Sequence, residues 1–573
     1  VPKSNQGALD QPLDLARITM LPRRILTIGL DGFESSLAEE MISEGELPEL
    51  ARLRRQGASM RLDHGAAQRT GLAWEHVASG LSPEDATRWA AVNFDPNSYQ
   101  AWQEGTRLRP FTEGLKNIRS VVFDAPYFDL LRTKNVQGVV NWGAHDPGVA
   151  SAGVPNGLLQ EFIERFGEYP AKDYLYAIPW PCPKQCQAMG QSLTSAVDLR
   201  SEASLWLLRE RLPDWDFAMV VVSEPHSAIE GLWHGVDSSH PLHSIPSSRC
   251  AGDGLRNVYR AVDRMVGRHR ETFPDATLLV VSMGGMGGNQ SDAASMLLLA
   301  ELLHRESFGS AKLQERHDWS TATDGLAMLS ADENWHQSLK ELLPTTPSFH
   351  SRLSRTLPAR GIRFLKSNLG RIRSGMHQRQ SQPEPHRGPV VLQMDWMPLV
   401  RYQQHWPRME AFALPSFYDG RIRINLRGRE RLGKVRADRY WDTCERISQM
   451  LRECRDPRTR LPAVREIEYP GRGRDPVRMG PTESDLVIVW NGPLALQHPR
   501  LGQIGPVPYR RTGGHTGRFG VAWMEGPDLV PGDYGVRSSF DIVPTLVSLL
   551  GQQSSLPLSG HSLLPMLSQG PGT

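Results

Sequence analysis

The chain has 573 residues, 39% apolar and 22% charged, enough for a large core and more than one lobe. Its 65 basic and 63 acidic side chains leave a formal net charge of +2, so whole-chain charge makes no case for a nucleic-acid polymer or a membrane surface as partner. Five scattered cysteines argue against a disulfide framework, and no apolar run approaches the roughly 20 residues of a membrane span. The expectation is a cytoplasmic protein acting on a small molecule, with an oligomeric state that the sequence does not reveal.

Residues 1–24 read as a polar N-terminal extension without the apolar segment of a signal peptide. Residues 25–30, ILTIGL, run apolar into Asp31-Gly32, the pattern of a buried parallel strand that presents a carboxylate at its end. An acidic helix is predicted over 36–44, and Pro48 suits the start of another. Thr70 is expected to open a short helix ending near Gly80. There its hydroxyl would meet the positive end of the helix dipole, although a plain N-cap reads the same way. The stretch Asn141-Trp142-Gly143-Ala144-His145-Asp146-Pro147 brings together a histidine and an acid. Cys182 and Cys186 lack two further ligands at zinc spacing and read as ordinary thiols.

Two further buried strands are predicted at 217–222 and 277–281, with a helix over 255–273 between them. This rhythm implies a parallel sheet whose ligand lies beyond the carboxyl ends of the strands. The first of these strands runs into Ser223-Glu224-Pro225-His226, the second into Ser282-Met283-Gly284. His226 and Glu230 share one face of a helix, and an imidazole with a carboxylate suits a divalent transition metal, zinc first. The glycine-flanked His515 sits in a loop able to reach a site from far along the chain. Glu224, His145, Asp146, His234 and Asn289 complete the candidate set. Residues 301–410 read as an insertion or cap containing a basic, mobile loop at about 366–388, a candidate lid over an anionic substrate. The catalytic core is then 25–300 together with 411–573. A strand-turn-strand is expected over 412–426 about Tyr418-Asp419-Gly420, and a last helix over 538–550, capped by Gly551. Trp74, Trp142 and Trp233 lie near these motifs and suit either ring stacking or core packing.

In this order, Asp31-Gly32, Thr70 ten residues before Gly80, the 141–147 stretch, Ser223 to His226, the 413–430 stretch, Asp485 and Asp541 carry a resemblance. The chain resembles the type I phosphodiesterase/nucleotide pyrophosphatase family of the alkaline phosphatase superfamily from about 25 to 550. The resemblance implies an α/β three-layer sandwich with a central, mostly parallel sheet and an inserted cap. It also implies two divalent metals and Thr70 as nucleophile. One metal would take Asp31 and Thr70; the other would take His226, Glu230 and His515. The family's Asp-His pair falls here at Met283-Gly284, so the first metal is left incomplete unless Glu224, Asn289, Asp292 or the substrate supplies ligands. Thr70 would then need a base, for which His76, His145 and Glu224 are candidates. Three functions follow: hydrolysis of a phosphodiester, nucleotide pyrophosphate or phosphomonoester, with sulfate esters a close variant; phosphoryl or sulfuryl transfer to another acceptor; or binding without chemistry.

Overall fold

The computed structural model describes residues 24–176, 182–321, 325–330, 333–344 and 389–571. Most of the N-terminal extension and the whole 366–388 loop lie outside the described residues.

Nine strands build the central sheet. In chain order they are β1 (Ile25–Leu30), β2 (Ala58–Asp63), β3 (Ser120–Phe123), β4 (Val136–Val140), β5 (Ala152–Val154), β6 (Phe217–Val222), β7 (Thr277–Ser282), β8 (Phe519–Glu525) and β9 (Gly532–Ser538). Their spatial order is β9-β2-β8-β7-β1-β6-β3-β4-β5, and five of the eight neighbour pairs are parallel. Strands β1, β6 and β7 are buried along their whole length, which is why they read as unbroken apolar runs.

Alternate residues of β1 face opposite layers. Leu26, Ile28 and Leu30 pack with helices α1 (Ser35–Ser43), α2 (Pro48–Gln56), α4 (Pro183–Trp206) and α6 (Ser248–Thr272) through Leu37, Leu50, Leu193 and Val262. Ile25 joins the opposite cluster, where α3 (Ala73–Ser79) and α7 (Ile542–Leu549) contribute Val77 and Leu546. This is the three-layer α/β arrangement expected. Between α4 and α6 lies α5 (Glu224–Leu232), all nine of whose residues are buried. Helices α4 and α6 cross where a Cβ on Gly190 would stand 2.5 Å from the Gly254 Cα, so only glycine permits their approach.

The predicted strand-turn-strand forms as Ala411–Leu414 and Gly420–Ile424, paired antiparallel. It does not join the central sheet. These strands enter a separate four-stranded antiparallel sheet with Val464–Glu468 and Leu486–Trp490. That sheet has its own core, shared with Leu299, Trp335, Tyr402 and Trp406. The chain rejoins the central sheet only at β8. Apolar alternation announces a strand but not which sheet receives it. Among the described residues no helix is long and apolar enough to cross a membrane.

His269, on α6, fastens α6 to α4: its Nδ1 lies 2.8 Å from the Met265 carbonyl and its Nε2 2.9 Å from Ser204 Oγ. Burial pushes this imidazole from 6.5 down to about 4. The folded state therefore favours the neutral ring, so the stabilisation is complete above pH 6.5 and is lost as pH falls towards 4. Its size is on the order of 3 kcal/mol, at ~1.4 kcal/mol per unit. Urea unfolding of His269→Gln at stepped pH is expected to show a flatter acid decline than the parent; an unchanged slope would contradict this assignment.

Candidate metal centre

Four strand ends and one distant loop converge at the carboxyl edge of the sheet. The end of β1 supplies Asp31, and the end of β6 leads into α5 with His226 and Glu230. His145 follows β4, Met283 and Gly284 follow β7, and His515 arrives on a loop immediately before β8. That loop is pinned by a two-residue antiparallel bridge, Gly287 to Gly514 and Gly288 to Gly513.

His226 is the hub. Its Nδ1 lies 2.9 Å from Asp31 Oδ2, and Trp74 Nε1 donates to the other oxygen, Oδ1, at 2.9 Å. A carboxylate only accepts, so Nδ1 carries the proton and Nε2 keeps its lone pair. That lone pair points into a group comprising Glu230 Oε1 at 3.1 Å and His515 Nε2 at 3.0 Å. Gly32, at φ +60, is required here, because a Cβ on it would stand 2.7 Å from the His226 Cα. His145 stacks on His226 at 3.8 Å between ring centroids, with its Nε2 3.7 Å from Glu230 Oε2.

Burial lowers the His226 and His515 imidazoles, the latter well below its ordinary value, despite the Asp31 charge beside His226. Burial works the other way on Asp31, yet His226 holds it below the usual carboxylate range. The arrangement is thus an ionised carboxylate orienting a neutral imidazole, the form in which histidine binds metal.

Arg200, fully buried on α4, clamps the loops that carry these groups. It donates to both Glu224 oxygens at 3.0 Å, to Asp124 Oδ2 at 2.7 Å and to the Gly143 carbonyl at 3.1 Å. Asp124 in turn accepts the N–H groups of Trp142 and Gly143 at 2.7 and 2.8 Å, which aims the chain towards His145. Asp124, Asn141 and Asp146 all adopt left-handed backbone, at φ +53, +57 and +46. Such conformations suit Asx residues where a loop must bend tightly.

A cavity of about 60 Å3 opens between the cluster and the far wall. Asp31, His145, Asp146, His226, Tyr418 and His515 form one side; His64, Gln68, Gly71, Met283 and Gly284 form the other. A water needs ~10–15 Å3 measured this way, so the space suits a few waters or one oxyanion-sized group.

The expected site residues fall into distinct places. Asp31, His145, Asp146, His226, Glu230 and His515 come together. Thr70 does not line the cavity. It ends a 3-10 turn (Gly65–Thr70), its Oγ1 donates to the Ala67 carbonyl at 2.7 Å and accepts the Leu72 N–H at 3.1 Å, and the helix opens only at Ala73. Gly71 faces the cavity instead. Glu224 is held by Arg200 and Tyr169 and has no free edge for base chemistry. His76 lies behind His64, Nδ1 to Nε2 at 2.9 Å. His234 sits between Ser247 Oγ at 3.1 Å and Thr512, away from the cluster. Asn289 donates to the Gly513 carbonyl at 3.2 Å and so steadies the His515 loop.

Sequence reading missed Arg200, Asp124, Tyr418 and the pair Arg510-Arg511. Arg511 pairs with Glu230 Oε1 and, through Nε, with Asp292 Oδ2 at 2.7 Å; Arg510 reaches the same oxygen at 2.8 Å. Burial brings the Arg511 guanidinium down to about 9. Two adjacent arginines just before Gly513-Gly514-His515 were the available signal.

The donors fit one divalent ion. Ligand atoms of His226, Glu230 and His515 lie within 4.8 Å of one another, a two-imidazole, one-carboxylate set. Oε2 of Glu230 is buried without a hydrogen-bond partner, 3.7 Å from His145 Nε2, while His145 Nδ1 lies 3.3 Å from Asp146 Oδ2. Asp31, His145 and His226 form a second possible group, but it shares His226, and both Asp31 oxygens are engaged. A separate ion on the Asp31–Thr70 side does not fit. Met283 and Gly284 offer no donor side chain, and the Thr70 hydroxyl is held in its own turn.

No protein-family model matches the chain, and no curated protein matches it. Solved structures similar to it include murine ectonucleotide pyrophosphatase/phosphodiesterase 5, as an inactive variant in complex with AMP, at 11% identity and TM-score 0.42, covering 94% of this chain and 97% of that one. Phosphonoacetate hydrolase from Sinorhizobium meliloti in complex with phosphonoformate is similar at 11% identity and TM-score 0.43, covering 92% and 95%. Human ectonucleotide pyrophosphatase/phosphodiesterase 5 is similar at 10% identity and TM-score 0.43, covering 96% and 100%.

Replacing Arg200 with Met leaves Glu224 and Asp124 buried without their counter-charge. Breaking a buried pair this way costs about 3–5 kcal/mol. Urea unfolding of Arg200→Met is expected to show a loss of that order, whereas a near-parental midpoint would deny the clamp its role.

Proposed function

We propose that this protein is a metal-dependent hydrolase of phosphate esters, working with one divalent ion, zinc first, held by His226, Glu230 and His515. The observation that carries this reading is the convergence of two neutral imidazoles and a carboxylate on a small cavity at the carboxyl edge of a parallel sheet. The phosphorus-centred class is supported by the order in which Asp31, Thr70, His226 and His515 occur along the chain. The substrate in this reading is a small molecule.

An ion in that set would polarise an ester oxygen and acidify a nearby water. The chain's own groups do the rest. Asp31 fixes the His226 tautomer, and Arg511 offsets the Glu230 charge. His145, oriented by Asp146 Oδ2 at 3.3 Å from its Nδ1, takes the proton of the attacking water on Nε2. The attacking oxygen in this reading is water, because the Thr70 hydroxyl is held by Ala67 and Leu72. The full chain is expected to retain about one zinc ion and release p-nitrophenol from a p-nitrophenyl phosphate ester, with His515→Ala losing both. His145→Gln is expected to keep the ion and lose about 10²–10⁴-fold in kcat.

Thr70→Ala separates this route from a covalent one. Turnover close to the parent's supports water attack; loss of turnover with the metal retained makes Thr70 the nucleophile. Binding without chemistry is the second reading, favoured by Arg511 on Glu230 and by the absence of donors at Met283 and Gly284. A zinc-loaded chain that turns over no phosphate ester would decide for it.

A further inference from the structure

The small cavity adjoins a larger basin. The basin has a volume of about 440 Å3 and shares Gln68, Tyr418 and His515 with the cavity, so the two meet at the metal cluster. By size the cavity holds only a reacting group, whereas the basin is within the range of small-ligand sites.

Three guanidinium groups, from Arg69, Arg465 and Arg518, line the basin against one carboxylate, Asp63. They differ in what they already hold. Arg69 is paired with Glu468, with Glu466 4.0 Å away, so its charge is answered within the fold. Arg518 stands 3.8 Å from Asp63 and 4.6 Å from the Phe519 ring, a loose arrangement that leaves N–H donors free. Arg465, exposed on the edge strand Val464–Glu468, has no side-chain hydrogen bond or ion pair with any described residue. Ser291 and Gln290 add polar groups at the rim. Val489 adds an apolar side chain to the wall, while the indole of neighbouring Trp490 turns into the core of the second sheet and bonds Ser295 Oγ at 3.0 Å.

These features define what fits. Guanidinium donors beside a short apolar surface accept a group bearing a negative charge at its far end. Arginine's planar fork matches a carboxylate or phosphate oxygen pair.

Resting on the phosphate-ester reading above, we infer that the basin is the subsite for the non-reacting part of the substrate. That part carries a second anion, recognised by Arg465 with help from Arg518. The substrate class is therefore a phosphate ester with two separated anionic centres, one at the metal cluster and one in the basin.

Calorimetric titration of the zinc-loaded full chain with two phosphonates tests this. Phenylphosphonate offers the first anion alone; 4-carboxyphenylphosphonate adds a second on the same ring. The expected result is about 5–10-fold tighter binding of the carboxylated compound at low salt, narrowing as salt rises. The ratio should collapse towards one in Arg465→Ala and in the Arg465→Ala/Arg518→Ala double variant. Thermal melting serves as the folding control, since Arg465 is exposed and without internal partners. Phenylphosphonate binding without any preference, or a preference that survives both variants, overturns the subsite while leaving the phosphate-ester reading intact. If neither phosphonate binds the zinc-loaded chain, the phosphate-ester reading falls and the subsite falls with it.

Discussion

The hydrogen bond between His226 Nδ1 and Asp31 Oδ2 joins the end of β1 to the first turn of α5, and the geometry of the site follows from it. With the proton held on Nδ1, the other nitrogen is left as an acceptor facing Glu230 and His515. Without that constraint the imidazole could turn or change tautomer, and the three-ligand set would have no fixed centre. The bond in turn depends on Gly32, which lets the helix backbone approach, and on Trp74, which satisfies the second carboxylate oxygen. Strand, helix and tautomer are therefore one arrangement rather than three.

Around this centre the protein buries more charge than a core ordinarily tolerates. Arg200 with Glu224 and Asp124 lies on one side, and Arg510 and Arg511 with Asp292 and Glu230 on the other. Such networks gain little stability over apolar packing, but they are intolerant of a missing partner. Their value here is positional. Arg200 holds the loops of His145 and His226 in register, and Arg511 ties the segment bearing His515 to the helix bearing Glu230. Both arginines act on loops that meet only in the folded chain.

The parts legible in the sequence were those with local causes. The strands at 25–30, 217–222 and 277–281 are apolar because both faces are covered, and His226 and Glu230 share a face because they are one turn apart. Thr70 was misplaced by three residues relative to its helix, because a 3-10 turn and the left-handed Gly71 intervene and neither leaves a periodic signal. Asp31 was legible as a site residue but not as the partner of His226, which lies 195 positions away. The arginines that hold the site were invisible for the same reason: a buried arginine is recognised by its partners, and those are remote in sequence. The strands at 411–424 were legible as strands, but not the sheet that receives them, because alternation carries no sheet address.

Strand β8 lies between β2 and β7, so residues 519–525 fill a gap between segments made some 240 or more positions earlier. During synthesis those two strands have no neighbour on that side until residues 519–525 have emerged. The same late segment brings His515, so closure of the sheet and completion of the ligand set occur in one step. The nascent chain must keep an open strand edge through most of its elongation, a contact order that favours slow, late assembly. A chain stopped before β8 would therefore both lack His515 beside His226 and Glu230 and be prone to pair its exposed edge with another chain.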